Sequence, residues 1–156
     1  DVYATFKLGM IYRDKESKVY DIDKAIDYFK QAADKGDKDA LGFLADAYIY
    51  YQKEYKKAYD LLVDADKDNY SICASYADLF YNGYYVPRDY DEAFKWYMKS
   101  FELEKTSTIY HRLGRCYFFG HGVKEDKAKA KEYMYISMNE KYKPAIDFYN
   151  EFFKNN

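Results

Sequence analysis

The chain is 156 residues long, 49% hydrophobic and 33% charged, with only 7 Gly and 2 Pro, a balance that excludes a disordered or collagen-like polymer. At that length a chain buries roughly 68–70% of the surface its unfolded form exposes, so one domain or one continuous array is expected without disulfides or a metal. The net charge of −2 is spread along the sequence, which leaves no basic face for nucleic acid, and no apolar run approaches the roughly 18 residues of a membrane span.

The first residues, from Asp1 to Ile11, lack a basic start and a long apolar stretch, so the chain reads as soluble. It opens at Asp1 without a Met, which reads as a trimmed or processed product and leaves its compartment open. Aromatic residues reach 22%, with 22 Tyr, 11 Phe and 1 Trp. Lys, Tyr, Phe, Ile, Asn and Asp share codons rich in A and T, so base composition is one source of that surplus and ligand binding is the other.

Apolar residues recur at three- and four-residue spacing, which predicts helices throughout. In chain order, a large residue followed by a small one, with an aromatic three further on, appears at Leu8-Gly9 with Tyr12, Leu44-Ala45 with Tyr48, Tyr76-Ala77 with Phe80, Leu113-Gly114 with Tyr117, and Tyr149-Asn150 with Phe153. Between these lie the anchors Ala25, Ala58, Ala93 and Ala130, each followed at the third position by Tyr28, Leu61, Trp96 or Tyr133 and at the seventh by Ala32, Ala65, Ser100 or Ser137. Small and bulky residues thus alternate on one stripe, which lets two helices interlock. Four residues before each anchor stands an acid, Asp21, Glu54, Asp89 or Asp126, suited to cap the second helix of a pair.

The predicted units, each about 35 residues, are 1–36, 37–69, 70–105 and 106–141, followed by a lone capping helix at 142–156. Gly83 with Pro87, and Gly120 with Gly122, supply the turns inside the third and fourth units. The second unit has no such glycine and joins its helices through Tyr50-Tyr51-Gln52-Lys53, a connection three residues shorter than in the others.

Ala4-x-x-x-Leu8-Gly9-x-x-Tyr12, the run from Phe119 to Asp126 ahead of Ala130, and Asp89 to Lys99 around Ala93 and Trp96 resemble the Sel-1-like repeat, a relative of the tetratricopeptide repeat. The resemblance covers essentially the whole chain. It implies an all-α fold, a right-handed α-solenoid (superhelix) of helix-turn-helix repeats, whose first helices line a concave groove. It also implies a non-catalytic scaffold or adaptor that holds a peptide or protein partner. The departures are the short join of the second unit, the glycine-free turn from Lys15 to Val19, and Asn150 in place of a small residue.

On that geometry the residues expected on the groove side include Tyr3, Phe6, Met10 and Arg13 from the first unit and Asp46 and Ile49 from the second. Asp78 and Tyr81 from the third unit join them, with His111, Arg115 and Phe118 from the fourth. Aromatic anchors ringed by charges suit a peptide groove. The same positions also suit ordinary solvated faces, or pairs between neighbouring helices such as Asp78 with Arg115.

His111, Cys116 and His121 could suggest a nucleophile or a metal, but five residues of helix turn His111 and Cys116 to different faces, and the paired ligand spacing of a zinc site is missing. Cys73 and Cys116 read as buried small hydrophobes. The alternate acids Asp64, Asp66 and Asp68 lack the central Gly and distal Glu of a calcium loop, and read as a solvated turn. Cysteine-rich relatives linked to β-lactam binding or hydrolysis carry a cysteine pair in each repeat, and this chain has none.

The lone last helix gathers Ile146, Phe148, Tyr149, Phe152 and Phe153, with Asp147, Asn150, Glu151 and Lys154 on a polar strip. It is expected to cap the fourth unit, with self-association through it as the alternative. The sequence therefore predicts a protein-binding scaffold with no cofactor, no metal, no catalytic residue and no nucleic-acid partner. A carbohydrate or small-ligand module using surface tyrosines is the rival.

Overall fold

Short polar side chains begin most of the helices. In the computed structural model, which describes residues 1–155, the side chains of Asp1, Asp21, Asp37, Asp89, Thr106 and Asp126 each accept a hydrogen bond from a backbone N–H in the first helical turn. Each such cap satisfies a donor that a helix otherwise leaves open. The helices are α1 (Val2–Arg13), α2 (Ile22–Asp34), α3 (Lys38–Ala47), α4 (Tyr55–Val63), α5 (Tyr70–Asn82), α6 (Tyr90–Leu103), α7 (Ser107–Phe119), α8 (Lys127–Asn139) and α9 (Lys143–Phe152). A π-helical turn at Tyr48–Gln52 follows α3. None of these helices is long and apolar enough to cross a membrane.

A single hydrogen bond recurs four times and sets how each pair turns. The backbone N–H of the capping acid donates to the carbonyl of the signature aromatic: Asp21 to Tyr12 (2.8 Å), Glu54 to Tyr48 (2.8 Å), Asp89 to Phe80 (3.0 Å) and Asp126 to Tyr117 (2.8 Å). The same acid's carbonyl then accepts from the anchor alanine, Ala25, Ala58, Ala93 or Ala130. The second pair makes this link across the shorter join because the chain there winds into the π-helical turn and Lys53 takes a left-handed conformation (φ 56°, ψ 32°). That spelling of the turn is absent from the other three pairs, and the sequence alone did not predict it.

The chain divides within α5 into two compact units, the first from Asp1 to Tyr76 and the second from Ala77 onward. In the first unit α1 packs on α2, α2 on α3 and α3 on α4. Phe29 and Ala25 lie at the centre of its core, with Phe6, Ile26, Ala32, Ala40, Leu44 and Ala47. The rings of Phe6, Phe29 and Phe43 lie 5.6–6.0 Å apart. Gly9 makes room for this cluster, since a Cβ there would stand 2.6 Å from the Phe29 ring. Leu8 departs from the expected pattern: the α1–α2 contact leaves it 40% exposed, whereas its counterparts Leu44 and Leu113 are buried.

In the second unit α6 packs on α7, α7 on α8 and α8 on α9. Ala93, Tyr97, Leu113, Cys116, Ala130 and Met134 are buried there. Gly114 faces the Met134 side chain. Both cysteines, Cys73 in the first unit and Cys116 in the second, are buried, as the sequence reading expects. Helix α9 buries Ala145 and Phe148, and Phe153 just beyond it, while Asp147, Asn150, Glu151 and Lys154 stay exposed.

Candidate partner-binding residues

In the first unit the expected groove residues separate into surface and core. Tyr3, in the first turn of α1, is 62% exposed with the Lys7 ammonium 5.0 Å from its ring centre. Met10 and Arg13 lie further along the same helix, both half-buried. The Arg13 guanidinium rests 4.9 Å from the Phe43 ring and pairs with Asp46 of α3 at 3.6 Å. This geometry fixes a cation between a ring face and a carboxylate while its side chain keeps 28% of its surface.

Phe6 and Ile49 do not join that surface. Phe6 is covered by the Phe29 and Phe43 rings, and Ile49 is drawn inside by the π-helical turn. Helix-face arithmetic assigns a residue to a side of its helix but carries no information about what covers that side.

In the second unit the burial is more extensive. Asp78 on α5 is only 2% exposed. It accepts two hydrogen bonds from Arg112, from Nε and Nη2 at 2.7 Å each, and one from the Tyr97 hydroxyl. Here the cation is Arg112, one turn before Arg115, and Asp78 is an interior group where the sequence reading expected a solvated groove residue. A bidentate guanidinium–carboxylate pair is the form in which a buried carboxylate is tolerated.

Tyr81 is also buried, and its hydroxyl lies 2.8 Å from His121 Nδ1. Burial pushes the Tyr81 phenol up to about 12. The Arg115 guanidinium sits 4.8 Å from the Tyr81 ring centre. Phe118 is half-buried among Phe148, Phe152 and Phe153, with the Lys127 ammonium 5.1 Å from its ring.

His111 is buried against Tyr142 and Phe148, and its Nδ1 has no hydrogen-bond partner. Burial, then the nearby Arg112 and Arg115 charges, push it down to about 3, so the ring is neutral at pH 7. Burial likewise pushes the Cys116 thiol up to about 12, which keeps it a protonated thiol and a poor nucleophile. Among the described residues no group of three or more His, Cys, Asp or Glu is placed to hold a metal ion. The acidic run at Asp66 and Asp68 instead pairs with Lys38, at 3.7 and 2.6 Å.

Three contributors escaped the sequence reading. Arg112 and Tyr97 lie one position off the residues that the repeat pattern highlights, and the plane-to-plane stack of His121 on Tyr90, 3.9 Å apart at 3°, joins residues 31 positions apart. An aspartate within the otherwise apolar stretch from Ala77 to Tyr81 was the available signal for Asp78's partners.

The Sel1 repeat pattern matches residues 2–37, 73–104 and 110–137, more than half of the chain. The chain belongs to the Sel1 repeat family. The longest unmatched stretch, 38–72, is the one that replaces the glycine turn with the π-helical turn. A solved protective antigen of uropathogenic Escherichia coli strains, displaying an SLR fold, is similar at 22% identity and a TM-score of 0.69, over 96% of this chain and 33% of its own. A Sel1 repeat protein from Oxalobacter formigenes is similar at 23% identity and a TM-score of 0.59, over 95% of this chain and 62% of its own. This Sel1 repeat chain thus spans about a third of the first and under two thirds of the second, and both likenesses establish an all-α helical-repeat fold of the solenoid class. A comparison with curated proteins finds no match.

Proposed function

We propose that this Sel1 repeat chain is a non-catalytic scaffold that holds a peptide or protein partner along the first helices of its repeats. Tyr3, Met10, Arg13 and Asp46 would contribute in the first unit, and Arg115 and Phe118 in the second. The observation that carries this reading is Arg13, fixed between the Phe43 ring and Asp46 yet still solvent-accessible. A guanidinium held in place before binding loses little entropy when it meets a partner.

The alternative, a sugar-binding surface, has less support. The most exposed tyrosines, Tyr3, Tyr20, Tyr50, Tyr85 and Tyr135, belong to five separate segments.

A displayed random-peptide panel selected on the wild-type chain, then re-measured by fluorescence polarisation on Tyr3→Ala and Arg13→Glu, tests the reading. Selected peptides should lose about tenfold or more in affinity on both variants while helicity and melting stay unchanged. Affinities that match wild type on both variants would remove the first unit from the binding surface.

A further inference from the structure

The second unit holds a cluster that its core does not account for. Gly120 (φ 69°) ends α7, and Gly122 (φ 73°) lies so close to α6 that any Cβ would run into the Tyr90 carbonyl and Phe94. The loop between them is therefore pressed onto the first turn of α6, which lays His121 flat on Tyr90. His121 in turn is hydrogen-bonded to Tyr81 and stacks 5.3 Å from Phe119, which remains 44% exposed.

Two cations flank this aromatic stack. Arg115 lies against Tyr81, and the exposed Arg88 has its guanidinium 5.6 Å from the Tyr90 ring centre. The chain has four arginines. Arg13 pairs with Asp46 and Arg112 with Asp78. Arg88 and Arg115 have no carboxylate partner among the described residues, and both converge on the Tyr81–His121–Tyr90 stack. A guanidinium is a rigid fork matched to carboxylates, and one seated on a ring face with its outer edge open is ready to accept one.

We propose that Arg88, Arg115 and the Tyr81–His121–Tyr90 stack form a recognition site for an acidic peptide, with carboxylate side chains meeting the two guanidinium groups and a neighbouring apolar side chain resting on Phe119. The proposal rests on the interaction reading above and names the partner's chemistry at one surface. The first turn of α6 beside the stack argues against a phosphate held at the helix start, because its N–H group at Glu92 is already bonded to Asp89. The overall charge of −2 argues against nucleic acid. In support, burial first, then the Arg115 and Arg88 charges, hold the His121 imidazole below its ordinary range, so an anion bound there should raise it.

The probe is a fluorescein-labelled peptide with two glutamates on each side of a phenylalanine, beside a counterpart with lysines for the glutamates. The wild-type chain should bind the acidic peptide, with affinity falling as salt rises, and should ignore the lysine peptide. Arg88→Gln and Arg115→Gln should each weaken binding about tenfold, and Lys30→Gln, which removes an exposed charge of α2 in the first unit, should leave it unchanged. The His121 imidazole, followed by NMR, should titrate at higher pH in the complex than in the free chain.

Arg88 is exposed, so its variant keeps the fold and decides the outcome even where Arg115→Gln disturbs Tyr81. Failure of the wild type to bind the acidic peptide, equal binding of the lysine peptide, or wild-type affinity in Arg88→Gln would each overturn the site. Loss in Arg13→Gln with Arg88→Gln unaffected would overturn it as well, and would leave the scaffold reading standing. So would a displayed panel that yields binders of other chemistry.

Discussion

Arg112 grips Asp78 through two parallel hydrogen bonds of 2.7 Å, inside the second unit, with the Tyr97 hydroxyl donating to the same carboxylate. Three elements, α5, α6 and α7, are thereby joined by one buried acid. Truncating one partner of such a pair leaves an uncompensated charge in the interior. Arg112→Ala is therefore expected to cost about 3–5 kcal/mol in urea unfolding. In a double-mutant cycle with Asp78→Ala the pair should show coupling of about 0.5–3 kcal/mol, and strict additivity would mean that the two groups act independently.

The caps give a graded series. Asp21, Asp89 and Asp126 each accept from the backbone N–H three residues on, at 2.9–3.1 Å, whereas Glu54 occupies the corresponding place without a side-chain cap bond. Alanine at any of the three aspartates should cost about 1 kcal/mol. Glu54→Ala should cost clearly less in the same thermal denaturation series, since only its exposed pair with Lys57 is lost.

Two helical glycines separate by what lies opposite them. A Cβ on Gly42 would press into the backbone and side chain of Ser71, which cannot retreat without moving α5. On Gly114 it would meet the flexible end of Met134. Gly42→Ala is expected to destabilise by about 1–3 kcal/mol. Gly114→Ala should come out near neutral, because alanine's helix preference of about 1 kcal/mol offsets a small shift of Met134. A Gly42→Ala chain that melts with wild type would contradict the close approach.

Acid should loosen the second unit through His111. Its folded value of about 3 lies below the ordinary 6.5, so between those pH values the unfolded chain binds a proton that the folded one refuses. Stability from this group is full above about pH 6.5 and falls as the pH drops toward 3, by up to about 1.4 kcal/mol per pH unit. His111→Phe removes both the titration and the unpartnered Nδ1, so its stability should fall less steeply with acid over that window. Equal slopes for the two proteins would show that His111 does not titrate on unfolding.

Much of the fold was legible because it rests on local and periodic rules. Ala25, Ala58, Ala93 and Ala130 are all fully buried, as a small residue recurring opposite bulky ones requires. The capping acids stand where a helix start needs an acceptor. The candidate surface was legible only in part. Tyr3, Met10, Arg13, Asp46, Arg115 and Phe118 keep some exposure, while Phe6, Ile49, Asp78, Tyr81 and His111 are inside. Spacing assigns a residue to a helix face, and two faces of a repeat helix can both be covered once neighbours arrive.

The sequence by itself determined the all-α repeat, the helix starts and the anchor positions, since these follow from periodicity, capping and turn chemistry within a few residues. Only the tertiary structure decided that Asp78 pairs with Arg112 rather than Arg115, and that the second pair turns through a π-helical segment. It also decided that His121 lies on Tyr90. Each of these depends on distance and rotation between groups far apart in the chain or on a backbone detour, and a one-dimensional spacing contains neither.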